Sequence, residues 1–281
     1  MFIDTHCHVN FKDFKEDADE VIRRALDNDT SMIIVGSDIK SSNKALALAN
    51  KYESGVYCAI GLHPTNIEYK EELNDDLPEV FVSEGEYFDY GSYEKLANSD
   101  KVVAIGEIGL DYYHIDTKKD VGKIKKQQQE VFVSQLILAR NLDLPVIIHC
   151  RQAHDDLYRI LSEFKKDNPH LFVPGKNWGV IHCFSGDEDL AWKYFRLGLL
   201  ISFTGLITFS KQWDDLIRKV PFDKIMIETD TPFMTPEPYR GRRNEPLLVQ
   251  YVAKRMADIK NIKIEKVAEV TFNNAKKLFD L

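Results

Sequence analysis

Five of the eight histidines in the chain, His6, His8, His63, His149 and His182, fall where short apolar runs end, and Glu107 and Asp230 share that location. Imidazoles and carboxylates are the side chains that hold divalent metal ions. His6 and His8, one residue apart on an extended run, point to the same side. A lone pair of this kind is weak evidence, because surface histidines meet by chance. Its weight comes from the other residues. Four imidazoles (His6, His8, His149, His182) and two carboxylates (Glu107, Asp230) exceed the needs of one tetrahedral ion. They suit a bridged pair of divalent ions, with Glu107 shared, His6, His8 and Asp230 on one ion, and His149 and His182 on the other. Such a pair supplies a nucleophile at neutral pH and steadies both attacking and leaving oxygens, as hydrolysis of a phosphodiester, an amide or an ester requires. Histidine-rich shells accept Zn²⁺ or Mn²⁺ and carboxylates with open water positions accept Mg²⁺, so the ion's identity stays open.

These residues can meet only if the apolar runs are arranged side by side. Strands are predicted over residues 2–6, 31–36, 56–60, 102–105, 145–148, 179–181, 199–203 and 225–227. Helical spacing lies between them, over 18–26, 44–52, 93–98, 124–141, 155–164 and 190–197, and after them over 246–257 and 264–281. Nearly continuous apolar strands alternating with helices call for a parallel sheet buried on both faces. Eight such units match a (β/α)8 TIM barrel, whose site lies at the C-terminal strand ends. An open doubly wound sheet is the alternative, but no GxGxxG follows the first strand. No linker divides the chain, so residues 1–281 read as one hydrolase domain with an acidic insertion at about 66–100.

The net charge of −8 looks unpromising for a nucleic-acid partner until it is located. Residues 67–98 carry ten acids against Lys70 and Lys95, which leaves the remainder neutral. This balance argues against coating a duplex, not against a phosphate-bearing substrate or a strand end. No run approaches the roughly 20 apolar residues that span a bilayer, and no secretory signal is visible, so a cytoplasmic protein is expected. Cys7, Cys58, Cys150 and Cys183 form no CxxC and read as small packing residues.

The motifs His6-Cys7-His8, Gly106-Glu107-Ile108-Gly109-Leu110-Asp111-Tyr112, His149-Cys150-Arg151, His182-Cys183-Phe184-Ser185-Gly186 and Glu228-Thr229-Asp230 resemble those of the TatD family of metal-dependent DNases, in the amidohydrolase superfamily. Gly61-Leu62-His63-Pro64 and the stretch from Arg240 to Pro246 extend the likeness over nearly the whole chain. The resemblance implies a TIM barrel with a two-metal site, exonuclease activity on DNA, and the same six ligands.

Beyond the ligands, Asp230 is expected both to ligate and to accept a proton, with Glu107 as bridge. His63, at the rim, is a candidate for contacting a phosphate or protonating a leaving oxygen. Arg151, Arg240, Arg242 and Arg243 are candidate phosphate contacts. Tyr112, Tyr113 and Phe184 are candidate stacking partners for a terminal base. The expected activity is therefore a TatD-type deoxyribonuclease, an ester-bond hydrolase acting on single-stranded DNA or strand ends. An aminoacyl-tRNA deacylase or another amide or ester hydrolase is the alternative. A non-catalytic barrel is disfavoured by the complete ligand set. His154 and His170 read as surface residues.

Overall fold

In the computed structural model the eight apolar runs form one parallel sheet whose strands follow chain order: β1 (Phe2–Cys7), β2 (Thr30–Val35), β3 (Val56–Ile60), β4 (Val102–Asp111), β5 (Val146–Arg151), β6 (Gly179–Ile181), β7 (Leu199–Phe203) and β8 (Ile225–Ile227). The structure describes residues 1–67 and 86–281. Most of the acidic insertion expected at about 66–100 therefore lies outside the described residues. Beyond β8, a parallel bridge between Cys7 and Thr231 and the bonds His8 N→Thr231 O (2.8 Å) and Asp230 N→His6 O (2.9 Å) tie the last strand back to the first. The fold is a (β/α)8 TIM barrel.

The helices are α1 (Ala18–Leu26), α2 (Ile39–Ala49), α3 (Tyr90–Leu96), α4 (Val121–Asn141), α5 (His154–Asp167), α6 (Glu188–Leu197), α7 (Asp214–Lys219), α8 (Val249–Lys260) and α9 (Ile264–Phe279). Five, α2 to α6, start earlier than apolar spacing alone predicts, and in α2 and α3 caps set the first turns. Asp38 accepts from Ser41 N at 2.6 Å while Ser41 Oγ accepts from Asp38 N at 3.0 Å, so α2 begins at Ile39. Asp89 caps α3 through Gly91 N at 3.2 Å. Helix α7, only six residues long, has too few turns to show a periodic stripe and is absent from the sequence expectation.

The core has two layers. Ile3, Ile33, Ala59, Ile147, Val180, Leu200 and Met226, from seven of the strands, fill the barrel interior, with Leu278 and Phe279 of α9 packed against them. A larger shell between strands and helices includes Phe132 and Leu136 of α4 and Leu157 and Leu161 of α5. Cys7, Cys58 and Cys150 belong to that outer shell, and burial pushes the Cys58 and Cys150 thiols up to about 12. Among the described residues no helix is long and apolar enough to cross a membrane.

Candidate metal centre

Two irregularities in the sheet decide which side chains enter the barrel mouth. Ile3 packs inside the barrel, so strict alternation would turn His6 outward. A register shift between Asp4 and Cys7 reverses the parity and turns His6 and His8 inward. On β4 a second shift, between Gly106 and Ile108, does the same for Glu107. Glu107 therefore lies within the strand, which runs on to Asp111, rather than after it. On β5 and β6 plain alternation suffices: Ile147 leads to His149, and Val180 to His182. Asp230 has a left-handed backbone (φ 56°), a conformation that costs about 1 kcal/mol or more for a residue with a side chain.

The donor atoms fall into two sets that share Glu107. His6 Nε2 and His8 Nε2 are 3.1 Å apart, lie 3.8 and 3.6 Å from Asp230 Oδ1, and lie 3.7 and 3.6 Å from Glu107 Oε2. Around the other oxygen, Glu107 Oε1 is 3.0 Å from His149 Nδ1 and 2.8 Å from His182 Nε2, and those nitrogens are 3.3 Å apart. A tetrahedral ion with bonds of about 2.0–2.1 Å has donor–donor edges of about 3.4 Å. Both sets have the spacing and the chemistry to hold a divalent ion. All six expected ligands are brought together, and Glu107 stands between the two groups.

The electrostatics match. Burial acts to raise the Glu107 carboxyl, but the neighbouring imidazoles of His63, His182 and His149 hold it well below the usual range. Burial likewise acts against a low value for Asp230, and His8 and His6 overcome it. Against the pull of burial, Glu107 lifts His182 well above an ordinary imidazole, Asp111 and Glu107 lift His149, and Asp230 lifts His8. His6 is lowered, by burial and then by the charge of His182. The imidazoles thereby supply the positive charge that keeps both buried carboxylates ionised.

Several supporting residues were not singled out from sequence. His8 Nδ1 lies 2.9 Å from Val35 O. His149 Nε2 lies 3.0 Å from Asp111 Oδ2. Glu228 accepts from Cys183 N (2.6 Å) and Ser202 Oγ (2.7 Å) and stands 3.5 Å from His182 Nδ1, an electrostatic contact rather than a hydrogen bond. Asp4, fully buried, accepts from Thr229 N and Oγ1 and braces the chain just before Asp230. A signal was available for two of them: Asp111 and Glu228 share strand parity with Glu107 and Asp230.

His63 lies closer in than a rim position implies, with Nε2 3.5 Å from Glu107 Oε1 and its ring 4.4 Å from that of His149. Its Nδ1 lies 2.7 Å from Thr65 Oγ1 and 3.2 Å from Thr65 N, and His63, Glu107 and His149 are close enough together to hold a metal ion. Among the candidate phosphate contacts, Arg151 is exposed and stacks on Tyr113 at 3.9 Å, and Arg240 is exposed and stacks on Phe209 at 3.6 Å. Arg242 is exposed and 5.8 Å from the Tyr239 ring.

Three of the candidate contacts have partners or surroundings of their own in the structure. Arg243 is engaged by Asp17 through both terminal nitrogens and lies over Phe14 at 4.2 Å, so its fork is already filled. Tyr112 is part-buried, with Lys125 over its ring at 4.3 Å and its hydroxyl held by Asp156 and Gln129. Phe184 is buried, and so is no stacking platform. His154 is also not a simple surface residue, since it bridges Tyr194 (3.0 Å) and Ser185 (3.2 Å). His170 is exposed.

The family model described as TatD related DNase matches residues 3–280. The chain is similar to a protein of Bacillus subtilis named as the uncharacterized metal-dependent hydrolase YabD, at 36% identity over 99% of both chains. It is 33% identical to the uncharacterized metal-dependent hydrolase YcfH of Escherichia coli, over 100% of this chain and 96% of that one. Among solved structures it resembles YjjV, a TatD homologue of Escherichia coli, with a TM-score of 0.81 and 30% identity over 100% of this chain and 98% of the other.

Proposed function

The chain belongs to the TatD related DNase family and is a metal-dependent hydrolase, and from that premise we propose that it is a deoxyribonuclease acting from the ends of single strands, with two divalent ions. Glu107 carries the two-ion part: its two oxygens face separate sets of imidazoles, which is the arrangement of a bridging carboxylate. His6, His8 and Asp230 would hold one ion with Glu107, and His149 and His182 the other. Divalent ions bound in this way supply a nucleophile at neutral pH and stabilise charge on the attacking and leaving oxygens.

The remaining steps fall to the chain's own residues. Asp230, kept ionised by His8 and His6, accepts the proton of the attacking water. His63, held neutral by burial, offers Nε2–H to an oxygen of the substrate. Arg151 and Arg240 hold non-bridging phosphate oxygens, each guanidinium braced on an aromatic ring, and Arg242 adds charge on the same face. These exposed arginines favour a phosphodiester over a simple amide, and the exposed rings of Tyr113 and Phe209 suit unstacked terminal bases.

The test is hydrolysis of DNA strands labelled at the 3′ or the 5′ end, with acylated tRNA in parallel, across Mg²⁺, Mn²⁺ and Zn²⁺. Release of single nucleotides from one end, abolished by chelator, is expected. Random internal nicking would sink the exonuclease part. Deacylation of the tRNA without DNA cleavage would replace the substrate class.

A further inference from the structure

His149 uses its two ring nitrogens differently. Nδ1 faces Glu107 and His182 in the metal centre, at 3.0 and 3.3 Å. Nε2 points away, 3.0 Å from Oδ2 of Asp111, a carboxylate only 1% exposed. Asp111 is itself held on every side. His114 N donates to Oδ1 at 2.9 Å, and His114 Nδ1 lies 2.8 Å from Oδ2. Gln128 clamps the backbone, accepting from Asp111 N at 2.9 Å and donating to Asp111 O at 3.0 Å.

Taking the two-ion reading as its premise, we propose that Asp111 is the positioning residue for the ion on the His149 and His182 side, and that His114 holds Asp111 in place from outside. An ionised carboxylate only accepts, so His149 Nε2 must carry the hydrogen. A neutral imidazole has a single N–H, which leaves the Nδ1 lone pair bare and aimed at the metal centre. The bond to Asp111 fixes the ring's rotation and makes Nε2 the nitrogen that keeps its hydrogen when Nδ1 ligates, as partners behind metal-bound histidines generally do.

The other side lacks this device. His8 Nδ1 is fixed by a backbone carbonyl, that of Val35, and His6 Nδ1 makes no hydrogen bond among the described residues. Loss of the Asp111 carboxylate should therefore affect one ion and spare the other. His114 is half-exposed and lines a cavity of about 200 Å³ with Thr65, Ile115 and Lys119, so it can be truncated without opening the core.

Asp111→Asn is the informative variant. Its amide can keep the contact by donating to Nε2, but this moves the ring hydrogen to Nδ1 and blocks ligation. Metal-stripped protein is titrated with Mn²⁺ by calorimetry, bound metal is counted by elemental analysis, and the melting temperature of the metal-free protein is recorded. Wild type is expected to bind two ions. Asp111→Asn should retain the first, weaken the second by about 10–100-fold, and keep the metal-free melting temperature. His149→Ala should show the same stoichiometry. His114→Ala should weaken the same ion by a smaller factor, and His114→Asn, which restores an N–H toward Asp111, should recover most of it.

Unchanged affinity for both ions in Asp111→Asn would overturn the assignment. So would equal loss of both ions, which would mark Asp111 as a support of the whole site. If Asp111→Asn fails to fold, His114→Ala decides: selective loss of the second ion sustains the role, and two unchanged ions refute it. Wild type that binds a single ion would defeat the two-ion premise itself, a result distinct from any of these.

Discussion

The two halves of the metal centre use the same kinds of side chain but are held by different means. His6 and His8 come from one strand turned inward by a register shift, and the ring nitrogen fixed from behind, Nδ1 of His8, is bonded to a main-chain oxygen. His149 and His182 come from two strands with plain alternation, and His149 is fixed from behind by a buried side-chain carboxylate. Main-chain support is inherited from the sheet and survives any single substitution. Side-chain support is a separate choice that one substitution removes. The first half is therefore expected to be the more robust.

The largest effect should come from the residue the halves share. Glu107→Ala should remove both ions and lower hydrolysis by about 10³-fold or more, corresponding to several kcal/mol of lost transition-state stabilisation. Retention of either ion at full affinity, measured by elemental analysis, would break the bridging assignment. Next come the half-site variants. His6→Ala and His182→Ala should each leave one ion and a folded barrel, with activity reduced on the order of 10²–10³-fold. Full activity in His6→Ala would show that its half is not where water is activated.

Acidity should separate the halves without mutation, because both imidazoles of one half are raised whereas in the other His8 is raised and His6 lowered. Ligation needs neutral imidazoles, so protons compete with metal as the pH falls. His182 is raised well above the ordinary imidazole value by Glu107 and His149 is raised as well, whereas His6 is lowered. Between about pH 8 and pH 6 the ion on the His149 and His182 side should weaken first, which binding isotherms across that range would reveal. Simultaneous loss of both would remove the distinction.

The smallest effects separate arginines that look alike. Arg243→Ala should lower stability by at most about 1 kcal/mol, read as a small drop in melting temperature, with KM for DNA unchanged. Arg243 holds the Asp17 carboxyl below its usual range, so this stabilisation is present at neutral pH and fades as the pH falls through that lowered value. Arg240→Ala and Arg151→Ala should instead raise KM for DNA several-fold and flatten its salt dependence, at constant stability.

Much of this was legible in order along the chain. Strands β3, β6, β7 and β8 and helix α1 have the bounds that the apolar pattern predicts, because a strand buried on both faces leaves a continuous apolar run. The six candidate ligands stand out because each lies within such a run or at or just beyond its end. The partners of Arg243 and Tyr112 are invisible in the sequence for one reason. A loop arginine or tyrosine looks the same in sequence whether it is open to a ligand or already engaged, and Arg243 meets Asp17 across 226 positions.

The sequence by itself determined the eight-fold alternation, the barrel it must form, and the set of imidazoles and carboxylates at its mouth. These follow from local period and residue chemistry. Only the tertiary structure decided the two register shifts that turn His6, His8 and Glu107 inward, the division of Glu107 between two imidazole sets, and the clamp of Asp111 and His114 on His149. Each of these depends on which neighbouring strand a residue meets and in what register. Pairing sets that relation, and no local pattern encodes it.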